Sequence, residues 1–310
     1  MNLFDELPSR TFLAPMAGIT DKPFRQMVRQ FGNHLIYTEM VAATSFVYGS
    51  NTTQRMLSLA DEKMPIAVQL VGNNPEHMAK AAVEAERQGA FLIDINMGCP
   101  VRKLISNMSG VALMQEPWKA AEIVEAVKKA VKIPVTVKTR LGLDENHITI
   151  LEFAQYLQDA GADAITIHGR TKEQGYSGTA NWNLIAKVKE KLSIPIVANG
   201  DITDEKTAKQ CLFITKADGI MIGRGALGKP WILAEIDGQK PRFCLADVVM
   251  EHFERLLSYY GEKGLFIARK HLAWYASSHS SVAQFRRSVY TETNKENIKA
   301  LILEFFGSCP

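Results

Sequence analysis

Short apolar runs alternate with amphipathic segments along most of the chain. Eight runs are almost wholly apolar or β-branched, namely 11–14, 35–38, 66–70, 91–95, 134–137, 164–167, 195–198 and 219–222. Runs of this kind are typical of strands buried on both faces, as in parallel sheets. Between them, apolar residues recur with helical spacing, as in 75–88, 118–131, 148–160, 182–191 and 203–213. The pattern therefore predicts alternating strands and helices.

The number of alternations indicates the fold class. Eight strand–helix units within about 225 residues match a (β/α)8 barrel, and an open doubly wound sheet is the structural alternative. After Gly223 no strand-like run follows, and 245–260, 265–277 and 293–306 have helical spacing. We predict an α/β protein with a TIM barrel at 1–239 and a small all-helical domain at 240–310. The polar segment 237–241, DGQKP, separates them.

Composition describes a globular protein with a sizeable core, because 46% of the 310 residues are apolar and 22% are charged. No apolar run approaches the roughly 18 residues of a membrane-spanning helix. The first ten residues, MNLFDELPSR, lack the basic and then apolar pattern of a signal peptide. We therefore expect a cytoplasmic protein without a membrane partner.

The net charge of +3 is unevenly distributed. Residues 240–310 contain ten Lys and Arg against seven Asp and Glu, so the excess of the whole chain lies there. This weak basic bias favours a polyanionic partner for the C-terminal region.

The four cysteines are Cys99, Cys211, Cys244 and Cys309, and none forms a C-x-x-C pair. This spacing fits neither a disulfide framework nor a zinc site, so we expect reduced thiols and no metal. Cys211 lies in a predicted helix, where a small buried side chain is the first interpretation.

Each predicted strand is followed by a polar group or a glycine turn. In a barrel the active site is built at these ends of the strands. The residues concerned are Pro15 to Gly18, Glu39, Gln69, Asn96 to Cys99, Lys138, His168 to Arg170, Asn199 to Asp201, and Gly223 with Arg224.

Two glycine turns follow the seventh and eighth strands, in VANGD and IGRG. Glycines leave backbone N–H groups open to a ligand, and this position is the usual phosphate site of the fold. Arg224 is suited to a bidentate phosphate contact. The alternative is that Gly200 and Gly223 merely form tight turns.

Lys138 ends a buried strand, where an unpaired ammonium is costly. The electron-rich edge of a reduced flavin is a suitable partner, and an internal ion pair with Glu39 or Asp94 is the alternative. His168 is suited to a cofactor or substrate contact, or to a core position bonded to backbone. The amide of Gln69 is able to pair with a flavin's pyrimidine edge.

Six motifs occur in a fixed order: APMAGITDKPFR, DINMGCPVRK, VKTRLG, IHGRT, VANGDI and IGRGALGKPW. With them the chain resembles the tRNA-dihydrouridine synthases, most nearly the bacterial B-type subclass, over nearly its whole length. In the helical tail, ARKHLAWY and FRRSVY resemble that family's RNA-binding domain. NMGCP together with the tail is the specific part, since other flavin barrels share the remaining motifs.

The resemblance implies an FMN enzyme that takes hydride from NADPH, or NADH, and reduces D-loop uridines of tRNA to 5,6-dihydrouridine. It implies Cys99 as the proton donor. We ourselves assign Asn96, Arg170, Lys270, Arg286 and Arg287 to the tRNA substrate. The residues that the resemblance assigns to FMN are Pro15, Met16, Ala17, Gln69, Lys138, His168, Asn199, Asp201, Gly223 and Arg224.

The implied role of Cys99 is chemically reasonable. Hydride addition at uracil C6 leaves charge toward C5 and O4, so an acid must protonate C5. A thiol with a pKa near 8.5 is protonated at neutral pH and still able to release its proton. Gly98 and Pro100 are suited to a stiff turn that aims the thiol, and Asn96 to a hydrogen bond with the uracil edge. The alternative is that Cys99 is a small buried side chain.

A base in folded tRNA must be everted before it is reduced, and backbone charge contacts with stacking offset that cost. We expect Lys270, Arg286 and Arg287 to contact phosphates, whereas Trp274 is expected in the core. One tRNA would span both domains, so we expect a monomer without a stable protein partner.

Three other functions stay open from sequence. A related FMN barrel acting on a free pyrimidine or a dihydroorotate-like acid would not need the basic tail. A lyase or aldolase would use Lys138 as a Schiff-base nucleophile and would lack a yellow cofactor. A non-catalytic RNA-binding protein would need neither Cys99 nor flavin.

Overall fold

The computed structural model describes residues 3–307. Nine parallel strands are present in this range: β1 Thr11–Leu13, β2 Ile36–Tyr37, β3 Val41–Ala42, β4 Ile66–Val71, β5 Leu92–Met97, β6 Val135–Arg140, β7 Ala164–His168, β8 Ile196–Asn199 and β9 Gly219–Ile222. The eight predicted strands are confirmed, and β3 is an addition.

Eight of the strands close into a barrel. β2 pairs with β1 on one side and with β4 on the other, and β9 pairs back to β1. The remaining neighbours follow chain order from β4 to β9, all parallel. The short β3 extends the edge of β4 beyond β2. The (β/α)8 prediction is therefore confirmed, and the open sheet is excluded.

The helices of the barrel region begin on the side where the strands end. They are α1 Lys22–Arg29, α2 Ala43–Val47, α3 Asn51–Leu57, α4 Pro75–Arg87, α5 Arg102–Ile105, α6 Pro117–Ala130, α7 Ile150–Asp159, α8 Trp182–Lys191, α9 Glu205–Thr215 and α10 Ile232–Ile236, with 3-10 turns at Gly110–Gln115 and Arg224–Ala226. Asn74 and Pro75 illustrate the start signal, since the Asn74 side chain caps α4 and Pro75 occupies its first turn.

The barrel interior is apolar at its amino end and polar at its carboxyl end. Phe4, Phe12 and Tyr37 belong to a buried cluster that fills the amino end. Toward the other end lies the fully buried Asp94 of β5. A carboxyl group at this depth requires hydrogen-bond partners, which connect it to the site described below.

The C-terminal region contains four helices rather than the three predicted, α11 Leu245–Tyr260, α12 Lys263–Tyr275, α13 Val282–Thr291 and α14 Lys295–Phe306. The prediction missed α13. Its buried residues are Phe285 and Val289, and the exposed Arg286 and Arg287 between them leave only a short apolar stripe.

These helices pack directly on the barrel. Met27 of α1 and Trp231 share a buried cluster with Phe253 of α11. The Tyr260 hydroxyl donates a hydrogen bond of 2.9 Å to Oδ2 of Asp21. The proposed boundary at 239/240 falls between α10 and α11, and the division into two domains stays a prediction.

Candidate active site

A cavity of about 800 Å³ lies at the carboxyl ends of the strands. Its volume is within the range of cofactor and ligand sites. Its walls include Cys99, Asn96 and all ten residues that the family resemblance assigns to a flavin: Pro15, Met16, Ala17, Gln69, Lys138, His168, Asn199, Asp201, Gly223 and Arg224. The sequence therefore predicted residues that the fold brings to one place.

The thiol of Cys99 sits on a turn that the protein holds from both sides. Oδ1 of Asn96 accepts hydrogen bonds from the backbone N–H groups of Gly98 at 3.2 Å and Cys99 at 2.9 Å. The Cys99 carbonyl accepts one from the N–H of Val111 at 3.2 Å. Gly110 has φ +62°, and a Cβ there would lie 2.7 Å from that carbonyl oxygen, so only glycine fits. Cys99 is thus half-buried but fixed in place.

The local environment keeps this thiol protonated. Burial raises the pKa of Cys99, and the backbone N–H of Val101 and the cations Arg140 and Lys138 oppose the rise only in part. At neutral pH the group is therefore a proton donor rather than a thiolate.

A chain of hydrogen bonds connects the Cys99 turn to the barrel interior. Asp94 accepts from Oγ1 of Thr136 at 2.6 Å and from Nε2 of Gln69 at 2.7 Å. Oε1 of Gln69 accepts from Nδ2 of Asn96 at 2.8 Å. Burial raises the pKa of Asp94 to about 6, so above that pH it is ionised and accepts hydrogen bonds only. Gln69 and Asn96 are therefore engaged with the protein as well as facing the cavity.

The ammonium of Lys138 has no carboxylate partner among residues 3–307. It donates to Oδ1 of Asn199 at 3.1 Å. The alternative ion pair is not formed, because Glu39 accepts from the N–H of Gly18 at 2.5 Å and Asp94 is occupied as described. Burial lowers the pKa of Lys138 to about 8, with a smaller contribution from Arg140. This half-buried cation has room for an anionic partner in the cavity.

His168 is uncharged. Its pKa is lowered to about 2, first by burial and then by the neighbouring cations Lys138 and Arg140. A neutral imidazole at this position is able to hydrogen-bond a ligand without adding charge.

The turns after β8 and β9 form the end of the cavity opposite the Cys99 turn. Gly200 has φ +120°, and a Cβ there would lie 2.8 Å from that of Ala180. A Cβ at Gly225 would lie 2.6 Å from the carbonyl oxygen of Ile202. The guanidinium of Arg224 stands 4.5 Å from the centre of the Tyr176 ring. Tight backbone turns beside an arginine suit a phosphate group.

Asp201 lines this end but is engaged with the protein. Its Oδ2 accepts from Nη2 of Arg170 and from the N–H of Ala180, both at 2.7 Å. Its Oδ1 accepts from Nη2 of Arg224 at 3.3 Å. Because a carboxylate repels a phosphate, we interpret Asp201 as orienting Arg224.

On these observations the chemistry of the cavity lining suits a flavin cofactor. A cation without a charged partner lies beside Asn199, as the electron-rich edge of an isoalloxazine ring requires. The glycine turns beside Arg224 would suit the phosphate group of such a cofactor. Lys138 lacks an ionic partner among residues 3–307, and Arg224 is half-exposed beside Asp201, so both cations are able to contact a bound anionic group.

The other four residues assigned to tRNA lie outside the cavity lining. Arg170 is buried behind the wall, where it donates to the carbonyl oxygens of Ser177 and Gly178. Nζ of Lys270 donates to the carbonyl oxygen of Gly18, beside the loop that lines the cavity. Arg286 and Arg287 are exposed on α13.

Arg140, Tyr176 and Met40 are among the residues of the cavity wall that sequence reasoning missed. Arg140 donates through Nε to the carbonyl of Gly98 at 2.9 Å and through Nη1 to that of Thr171 at 2.9 Å. A signal existed for Arg140, because it follows Lys138 by two residues and side chains alternate along a strand. Tyr176 lies in an irregular loop, where the sequence contains no comparable signal.

The expectation of reduced thiols is met by one further cysteine and not by another. Cys211 is free and buried in α9, as expected, and burial raises its pKa to about 12. The expectation is wrong for Cys244, which is disulfide-bonded. Wide spacing in a sequence does not exclude a disulfide bond. Cys309 lies outside the described residues.

Two further searches covered residues 3–307. No helix there has the length and apolar character needed to cross a bilayer. No group of three or more His, Cys, Asp or Glu side chains in that range is arranged to hold a metal ion.

Known proteins resemble the chain in sequence and in fold. The family model described as "Dihydrouridine synthase (Dus)" matches residues 12–306. A "Probable tRNA-dihydrouridine synthase" of Rickettsia conorii is 43% identical, with 98% of this chain and 95% of the relative covered. "tRNA-dihydrouridine synthase B" of Pasteurella multocida is 42% identical, covering 96% and 92%. The solved structure of morphinone reductase is similar in fold alone, with a TM-score of 0.58 and 14% identity over 79% of this chain and 90% of that one.

Proposed function

The chain belongs to the dihydrouridine synthase family, and we propose that it reduces uridines in the D-loop of tRNA to 5,6-dihydrouridine with bound FMN. The observation that carries the proposal is a protonated thiol, Cys99, fixed on the wall of a cavity whose other walls suit a flavin.

FMN, when bound, supplies the hydride that adds to C6 of uracil. Lys138 would hold the electron-rich edge of its ring system, and Arg224 with the turns after β8 and β9 would hold its phosphate. NADPH, or NADH, is the proposed reductant, and the family resemblance is what supports this choice.

Cys99 gives its proton to C5 of the uracil ring. The Asn96 side chain fixes the turn, so the sulfur need not be reoriented during the reaction. Arg140 lies beside the turn, and its Nη2 has no hydrogen-bond partner among residues 3–307. We assign to Arg140 the stabilisation of negative charge on uracil O4 while the thiol is still protonated.

A Cys99→Ala variant tests the proton-donor role. Bound flavin and affinity for tRNA should be retained, whereas the single-turnover rate of dihydrouridine formation should fall by about 10²- to 10⁴-fold, the usual contribution of a general acid. Cys211→Ala is the matched control, because it removes a free thiol on a helix outside the cavity and should leave that rate unchanged. Equal rates for Cys99→Ala and the wild type would reject the role.

The same assay separates substrate classes. The wild-type protein should reduce uridine in tRNA from a strain that lacks this protein, and mapping the product identifies the position. Preferential turnover of free uridine, uracil or a dihydroorotate-like acid would instead support a small-molecule flavin enzyme. Anaerobic bleaching of the yellow colour by NADPH and by NADH compares the two reductants.

Arg286 and Arg287 offer a test of tRNA binding that leaves the cavity untouched. Changing both to Glu should weaken tRNA binding and reduce its dependence on salt, because phosphate contacts release bound counterions. Flavin content should not change. The control variant carries Lys132→Glu and Lys216→Glu, an equal change in charge at exposed sites on the opposite end of the barrel. Matching affinities for the two variants would contradict the assignment.

A further inference from the structure

An exposed aromatic pair lies on the carboxyl face of the barrel. The Tyr48 side chain, between α2 and α3, is 78% exposed. Its ring meets that of His77 edge-on, with ring centres 5.8 Å apart. His77 is held in turn, since its N–H donates to the capping side chain of Asn74 at 2.9 Å and its Nδ1 lies 3.4 Å from Oγ1 of Thr44. The pair is therefore a fixed surface feature.

Two cations occupy the same face, next to the Cys99 turn. Arg102 and Lys103 form the first turn of α5 and are exposed. Neither has a carboxylate within 4.0 Å among residues 3–307. The chain between them and Cys99 is only Pro100 and Val101, which line the cavity.

A hydrogen bond joins the two features into one surface. Nδ2 of Asn73, beside the cap of α4, donates to the carbonyl oxygen of Asn107, just after α5, at 2.8 Å. The loop that leads to His77 is thereby tied to the segment that carries the cations. We call Tyr48, His77, Arg102 and Lys103 the rim patch.

The chemistry of the rim patch selects among partners. A protein partner would favour a contiguous apolar area, whereas this surface offers one open ring face and two unpaired cations. Aromatic rings that stack bases, combined with Lys and Arg that contact phosphates, are typical of sites for unpaired nucleic acid. The patch also begins at the mouth of the cavity, where the strand flanking an everted base must pass.

We propose that the rim patch binds the RNA strand flanking the reacting uridine, with a neighbouring base stacked on Tyr48 and phosphates held by Arg102 and Lys103. This inference rests on the proposed function, because it presupposes an RNA substrate. It adds a second contact surface, separate from the helical tail that carries Arg286 and Arg287.

Two variants test the rim patch in the full-length, flavin-loaded protein. Tyr48→Ala should raise the Kd for unmodified tRNA by about tenfold, through the lost stacking. The loss should appear in KM more than in kcat, because a stacking contact made equally in the bound complex and in the transition state is uniform binding. Changing Arg102 and Lys103 to Gln should reduce the slope of log K against log salt by roughly 0.7 for each lost contact.

Matched controls come from the amino end of the barrel, opposite the rim patch. Phe213 is 74% exposed there, so Phe213→Ala removes a similar exposed ring. Lys132→Gln with Lys216→Gln removes two exposed charges. Both controls should bind tRNA like the wild type.

The outcomes separate this inference from the proposed function. If the wild type modifies tRNA and the rim variants bind like the controls, the rim proposal fails alone. Loss of bound flavin in Tyr48→Ala would also overturn the rim proposal. So would a protein that binds the rim patch more tightly than tRNA does. If the wild type forms no dihydrouridine in any tRNA, the proposed function fails and the rim proposal with it.

Discussion

Asp94 determines how the amide side chains beneath Cys99 are oriented. An ionised carboxylate only accepts hydrogen bonds, so the NH2 group of Gln69 must face it and the Gln69 oxygen must face the NH2 group of Asn96. That leaves the oxygen of Asn96 for the N–H groups of the Cys99 turn. One buried acid thus determines the orientation of two amides and, through them, the position of the thiol.

Removing this acceptor should affect both stability and rate. Asp94→Ala leaves the buried donors of Gln69 and Thr136 unpaired, so the free energy of unfolding should fall by about 2–4 kcal/mol. Asp94→Asn keeps one oxygen facing Gln69, and the Thr136 hydroxyl is able to rotate and accept, so its effects should be much smaller. Denaturant unfolding and single-turnover rates measure the difference.

The comparison of these two variants shows whether the hydrogen-bond pattern or the negative charge of Asp94 matters. If Asp94→Asn were as damaging as Asp94→Ala, the negative charge rather than the hydrogen-bond pattern would be the essential property. The rate of Cys99 alkylation by iodoacetamide gives an independent measure, because a loosened turn exposes the thiol.

The sequence predicted some residues of the site but not the contacts between others. Lys138 and Asn199 end buried apolar runs, where a polar group has no structural use, so the pattern predicted them. The link between Gln69 and Asp94 depends on two strands in register, which periodicity alone does not reveal. The same holds for the salt bridge from Arg170 to Asp201, because it joins residues on different loops.

At the scale of elements, the carboxyl end of β6 was underestimated for a physical reason. The run 134–137 ends at its first polar residue, yet β6 continues through Lys138 to Arg140 because both neighbouring strands pair with it there. Barrel strands therefore carry their functional groups on their last residues, inside the hydrogen-bonded sheet. This placement makes the site more rigid than one built on loops.

The loop between β7 and α8 is the element whose position depends most on one side chain. Its residue Tyr176 lines the cavity, and Arg170 secures the following Ser177 and Gly178 through their carbonyl oxygens. Arg170 also pairs with Asp201, which orients Arg224. The planar guanidinium makes these three contacts together, which a single ammonium does not.

Arg170→Lys should therefore loosen the loop while the barrel stays folded. We expect faster proteolytic cleavage within 171–181 and an increase of about tenfold in the dissociation constant of FMN, because Arg224 loses its orientation. Arg87→Lys is the control, since Arg87 pairs with Glu84 on the surface and such pairs contribute little. Unchanged FMN affinity in Arg170→Lys would show that Asp201 orients Arg224 without help.

At the scale of the whole molecule, the helical region meets the barrel across uncharged histidines. His252 and His271 are both buried, with ring centres 4.6 Å apart, and each ring contacts Phe24 of α1. His252 bonds through Nδ1 to the Tyr275 hydroxyl at 3.1 Å. Neither nitrogen of His271 has a hydrogen-bond partner within the described range 3–307. Burial lowers the pKa of His252 to about 3 and that of His271 well below its ordinary value.

This interface makes stability depend on pH in a definite direction. The unfolded chain binds protons at these histidines below a pKa of about 6.5, whereas the folded chain does not, so the free energy of unfolding falls as the pH falls below that value. Each histidine contributes a loss of about 2 kcal/mol at pH 5. Asp21 acts in the opposite sense, because burial raises its pKa to about 6 and the folded state binds its proton first.

His271→Leu isolates the histidine contribution, because Asp21 is common to both proteins and cancels in the difference. The variant keeps an apolar side chain against Phe24 and cannot be protonated. As the pH falls from 7.5 to 5, the free energy of unfolding of the variant should rise by about 2 kcal/mol relative to that of the wild type. Urea unfolding at a series of pH values measures this, and parallel curves for the two proteins would mean that the interface admits a charged His271. A gain would locate the acid sensitivity of unfolding at the contact between the helical region and the barrel.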